Sequence, residues 1–159
     1  MVVQFQNLVM PKKSTIKRAK KDKREGKSAS TQAGEFVREE IDTIRAGKHG
    51  AKNAKQAIAI GLSKARRAGV DLKPPKKGTV SEEVRKSSKR AYEKGQKHEP
   101  IDKKRSKASE KALKKQPRSS VSKKALSTQA KKAAKKRTAA DRSASAKKAA
   151  RTRKATSKK

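Results

Sequence analysis

Residues 35–69 read EFVREEIDTIRAGKHGAKNAKQAIAIGLSKARRAG, and this stretch decides the fold class. Val37, Ile41 and Ile44 recur at i, i+4 and i+7, acid is weighted to the first turns, and Gly47 follows where a helix would stop. The spacing predicts a helix over 35–46. Ala54, Ile58, Leu62 and Ala65 then fall on one stripe closed by Gly69, which predicts a second helix over 51–68. Gly61 lies inside it at a cost of about 1 kcal/mol in helix propensity, and such a glycine often marks a close backbone approach. The stripe of Val37, Ile41, Ile44, Ile58 and Leu62 is read as core, and His49, between two glycines, as a turn residue.

Working outward, Pro74 and Pro75 forbid helix continuation and favour an extended path. Thr79 or Ser81 can then cap a third helix over 81–95, with Glu82 and Glu83 at its positive end and Gly95 as its stop. The first helix carries Glu35, Glu39, Glu40 and Asp42, whereas the second carries Lys52, Lys55, Lys64, Arg66 and Arg67 and no acid. Packing them together would neutralise part of the acidic face.

Charge dominates the rest of the chain. Its 159 residues hold 49 Lys and Arg against 14 Asp and Glu, a net +35, divided as +7 over 1–30, +9 over 31–98 and +19 over 99–159. The last segment has only Ile101, Leu113, Val121 and Leu126 as large aliphatic residues, too few for a core of its own. Residues 11–30, PKKSTIKRAKKDKREGKSAS, have only Ile16. The expected fold is therefore mainly α with extensive disorder: a three-helix module (31–98) between a disordered basic arm (1–30) and a disordered Lys/Ala/Ser-rich tail (99–159). Marginal stability of so small a module leaves room for self-association. The opening MVVQFQNLVM is uncharged and then switches to Pro11-Lys12-Lys13, so Met10 reads as the start of translation and residues 1–9 as an extension. It lacks the basic lead-in and cleavage site of a secretory signal, and it is too short to span a membrane.

Several classes of function are excluded or made remote. Without cysteine there is no disulfide framework, zinc ribbon or thiol nucleophile. The two histidines stand far apart with no carboxylate cluster, so neither metal nor other cofactor is expected. Gly26-Lys27-Ser28 superficially echoes a phosphate loop, but the position of its first glycine holds Lys21. No set of acid, base and nucleophile points to an enzyme. A membrane-active polycation would need bulky apolar residues opposite its charge, where this tail has alanine.

At Lys55–Gly69, KQAIAIGLSKARRAG, following the turn Gly47-Lys48-His49-Gly50, the sequence resembles a family of small, basic bacterial proteins of unknown function. The likeness extends from about Met10, through STQAGEFVREEI, to Lys73-Pro74-Pro75. It implies a domain without an established activity, for which DNA binding is inferred largely from charge, in a bacterial cytoplasm. The tail segments AKKAAKKR (130–137) and AKKAAR (146–151) resemble linker-histone tails and their bacterial counterparts, which implies condensation of DNA.

The residues themselves point the same way. Polyphosphate contact releases condensed counterions, and the expected contacts are Lys17, Arg18, Lys20 and Lys21 in the arm, with Lys52, Lys55, Lys64, Arg66 and Arg67 in the module. In the tail they are Lys131, Lys132, Lys135, Lys136, Arg137, Lys147, Lys148, Arg151, Arg153 and Lys154. Phe5, Phe36 and Tyr92 are the only aromatics and none lies in the tail, so no platform for stacking single-stranded bases is evident. Nonspecific binding of duplex DNA at the nucleoid is the first expectation, or in a nucleus if the source is eukaryotic. Binding of RNA or the ribosome is the alternative, and a membrane partner is not expected.

Overall fold

The computed structural model describes Met10–Ser157; the reading of Met10 as the start concerns residues 1–9, which lie outside the described residues. Seven α-helices make up the described chain: α1 (Lys13–Arg24), α2 (Ala29–Arg45), α3 (Ala54–Arg67), α4 (Glu82–Gln96), α5 (Lys103–Lys114), α6 (Lys123–Lys135) and α7 (Ala139–Thr156). The helical class holds, with no strand among the described residues. Extensive disorder around a three-helix module does not: the arm forms α1, and the tail forms α5 to α7 with a short 3-10 turn at Ser119–Val121. The chain divides into two compact units, one ending at Val121 and the other starting at Ser122.

In the first unit α2 is the centre, packed by α1 and α3, and α4 packs on α3. α2 starts six residues before the expected position because Ser28 caps it, its side chain accepting from the Thr31 N–H. Gly47 (φ +77°) and Gly69 (φ +85°) end α2 and α3 as expected. Gly95 does not end α4. It sits in the last turn, buried, where a Cβ would run into the Arg66 carbonyl, and His98 (φ +53°) takes the left-handed position beyond the helix.

The face that α3 buries differs from the expected stripe. Ala54, Ala57, Gly61, Lys64 and Ala65 are buried, while Ile58 and Leu62 are only partly so. Small residues let the helices approach so closely that a Cβ on Gly61 would lie 2.6 Å from the Val37 Cα. The core has two clusters, Ala19, Ala33, Phe36, Ala65 and Val70 in one and Ile44, Ala51, Ala57 and Val121 in the other. Val121 belongs to the segment read as disordered tail. Its anchoring is reinforced by Arg45, which donates to its carbonyl, and by the Gly50 and Ala51 N–H groups, which donate to Leu113 and Pro117.

Carboxylates of α2 hold the surrounding elements. Arg18 of α1 pairs with Glu35. Buried Glu39 accepts from the Lys12 N–H and so supplies the negative charge missing from the first turn of α1. Glu40 is wholly buried with Lys64 Nζ at 2.7 Å from one oxygen and His49 Nε2 at 3.2 Å from the other. The Lys64–Glu40 charge pair holds this cluster, with the His49 ring packed against the second carboxylate oxygen. His49 Nδ1–H donates to the Gly50 carbonyl, which makes this histidine a buried pin between α2 and the 47–51 turn.

Two stability measurements test this packing. Glu40→Ala leaves the Lys64 ammonium buried without its counter-charge and is expected to cost about 3–5 kcal/mol in urea denaturation, with Lys64→Met in the same background recovering much of the loss. Gly61→Ala is expected to lower stability by about 1–3 kcal/mol even though alanine favours the helix by about 1 kcal/mol, because α2 and α3 must move apart.

Candidate nucleic-acid interface

On α1 the buried positions are Thr15, Ala19 and Asp22. At 3.6 residues per turn, Lys13, Lys17, Lys20 and Arg24 fall on the opposite side within one narrow stripe. All four are exposed, and none forms an ion pair among the described residues. Of the residues expected from sequence, Lys17 and Lys20 stand in this row. Arg18 is tied to Glu35, and Lys21 lies 3.8 Å from Glu25. Lys13 and Arg24 were not among the expected contacts. The i, i+4, i+7, i+11 spacing was the available signal, legible once the arm is taken as helix.

Of the five basic residues expected on the second helix, only Lys52, just before it, and Lys55 are exposed. Lys64 is buried against Glu40. Arg66 is buried, with its Nε donating to the Leu72 carbonyl, and burial pushes its guanidinium below the usual arginine range. Arg67 donates to the carbonyls of Glu99 and Pro100, joining α3 to the chain beyond α4. These three cations therefore hold the fold together and leave the module's outward charge to other residues.

The second unit is built differently. Among the side chains described, α6 and α7 bury none. Alanine and lysine favour helix, and each helix is capped: Ser122 accepts from the Ala125 N–H, while Thr138 and Asp141 form a reciprocal capping box. Local preference thus makes helix where a count of large apolar residues predicts none. Lys131, Lys132, Lys135 and Lys136 are exposed in two adjoining i, i+4 rows on α6. Arg137 is engaged with Ser145 and donates to the Asp141 carbonyl, and Arg142 donates to the Arg137 carbonyl, closing the junction of α6 and α7. On α7, Lys147, Lys148, Arg151, Arg153 and Lys154 are exposed and spread around the axis instead of lying on one face. Arg153 Nε also donates to the Ala149 carbonyl.

Among the described residues the aromatics form no array: Tyr92 is a single, partly exposed ring. Phe36 is core, and the Tyr92 hydroxyl donates to Asp71 at 2.7 Å, a bond that pushes its pKa up. No group of three or more His, Cys, Asp or Glu is placed to hold a metal among the described residues, and no described helix is long and apolar enough to cross a membrane. No protein-family model, curated protein or solved structure matches the chain.

The hydrogen bonds from Thr138 hold the Asp141 carboxyl below the usual aspartate range. A group with a depressed folded-state pKa stabilises its structure above its unfolded value and loses that contribution as pH falls through the folded one. The first turn of α7 is therefore expected to be intact at neutral pH and to fray as pH falls below the ordinary aspartate range. The backbone chemical shifts of residues 138–142 measure it, and Asp141→Asn should remove the pH dependence.

Proposed function

We propose that the protein binds duplex DNA through the phosphate backbone, with little sequence preference, and neutralises its charge in the manner of a nucleoid-associated or histone-like protein of a bacterial cytoplasm. The observation that carries this reading is the division of the charge. Three of the four acids of α2, Glu35, Glu39 and Glu40, are turned to α1, the 47–51 turn and α3, and only Asp42 is exposed, while the row on α1 and nearly every lysine of α6 and α7 faces outward. Beyond Val121 the sequence holds 15 Lys and Arg against Asp141 alone. A basic surface with this little acid is the electrostatic footprint of a polyanion binder.

The lack of a stacking platform favours a duplex over a single strand. Base reading would need amide or arginine side chains presented together on one exposed element, and Arg66 and Arg67, the arginine pair on the basic helix of the module, are engaged internally. The resemblance of the Lys55–Gly69 helix to small basic bacterial proteins, and of the AKKAA segments to linker-histone tails, adds to the same reading.

Binding to random-sequence duplex across a salt series tests it. Each phosphate contact lowers the slope of log K against log salt by about 0.9. The full-length variant K131Q/K132Q/K135Q/K136Q is expected to flatten the slope by about 3.6, with affinity falling equally for unrelated sequences. A clear preference for structured RNA over duplex DNA in competition at physiological salt would overturn the choice of DNA.

A further inference from the structure

We infer that the chain is bivalent, with the outer face of α1 and the α6–α7 pair acting as separate duplex-binding surfaces, so that one molecule holds two duplexes together. The inference rests on the proposed duplex binding and adds which surfaces act and what they accomplish.

A rigid α1 is the first observation. The arm does not trail freely from the fold: Ala19 sits in the core, Arg18 is paired with Glu35, and Glu39 receives the Lys12 N–H. Its outward row is consequently fixed in direction. Lys13 to Arg24 covers 12 residues, about 16 Å of helix from first to last, and a comparable length of duplex carries about five phosphates on one strand. Four unpaired cations along that length form a short, rigid counterpart to a backbone segment.

Separateness is the second observation. α1 belongs to the unit that ends at Val121, and α6 and α7 belong to the unit that begins at Ser122. Each unit has its own surplus: the 15 bases and one acid after Val121 leave +14, and the remaining +21 of the total +35 lies before Ser122. A duplex on α6 and α7 cancels the charge there. The four cations of the α1 row, on the other unit, are not part of that neutralisation and carry their own attraction for a second polyanion. Two sites on one chain then raise the effective concentration of one duplex near the other.

A sandwich capture tests this with the full-length protein: one random duplex is fixed to beads, a second is labelled and free, and retention of label reports bridging. Binding to one duplex is measured in parallel by anisotropy. The wild-type chain is expected to retain label. The variants K13Q/K17Q/K20Q/R24Q and K131Q/K132Q/K135Q/K136Q/K147Q/R151Q should each still bind one duplex and lose retention by on the order of tenfold or more. Binding without retention by the wild type overturns the inference, since both units then lie on the same duplex. Undiminished retention by the α1 variant also overturns it, because bridging then comes from association between copies. Absence of any binding in the anisotropy arm overturns the underlying duplex reading instead, and circular dichroism of both variants establishes that they are folded.

Discussion

The first unit depends on where α2 puts its carboxylates. A chain with a net +35 resists compaction by self-repulsion, and acid is the only material that can offset this from within. Glu35, Glu39 and Glu40 follow one another around α2 so that each meets a different neighbour: Arg18, the start of α1, and the Lys64–His49 pair. Burying Glu40 and Lys64 carries a desolvation cost that their attraction only partly repays. What the pair secures is register. α3 can slide along α2 only by leaving a charge unpaired in the interior, whereas the apolar contacts, made largely by alanine and glycine, would tolerate a shift.

The same arrangement determines what remains for a partner. Lys64, Arg66 and Arg67 are drawn into the fold, and Glu35, Glu39 and Glu40 of α2 are engaged by its neighbours, so Asp42 is the one acid of α2 left exposed. α1 gains most from this. Held from beneath by α2, it presents its lysines without the ordering entropy that a flexible arm would lose on binding. α6 and α7 represent the other solution, in which helix caps and alanine set the local structure and no burial is needed.

Much of the centre was legible from sequence. Gly47 and Gly69 end their helices by the left-handed conformation that makes glycine the usual stop, and Gly61 does mark the close approach of α2. The complementarity between the acidic and basic helices was readable too. The failures at α1 and α3 share a cause, namely a search for cores made of large aliphatic residues. α1 packs through Thr15, Ala19 and Ile16, and α3 through Ala54, Ala57, Gly61 and Ala65, so the first was taken for a solvated arm, and the stripe on the second was right at Ala54 and Ala65 but rotated toward Ile58 and Leu62, which are only partly buried. Gly95 was taken for a stop because its sequence context cannot distinguish a helix end from a helix contact. His49 does lie in the turn, but its burial against Glu40 was not legible because that partner lies nine residues away, on the preceding helix.

Small-residue packing also explains why a chain this poor in large apolar side chains can fold at all. Close approach brings backbone and stem atoms into contact and offsets by dispersion part of what is lost in buried area. It further shortens the distance between facing charges, which strengthens the pairs that fix register. The cost is sensitivity: at Gly50, Gly61 and Gly95 even one added carbon meets backbone. The first unit therefore obtains its rigidity from a few positions that admit no substitution, while the second, built on caps and propensity, leaves its lysines open to exchange with arginine. Constraint on sequence should accordingly be concentrated in α2, α3 and their glycines, and should relax beyond Val121, where the number of positive charges matters more than their places.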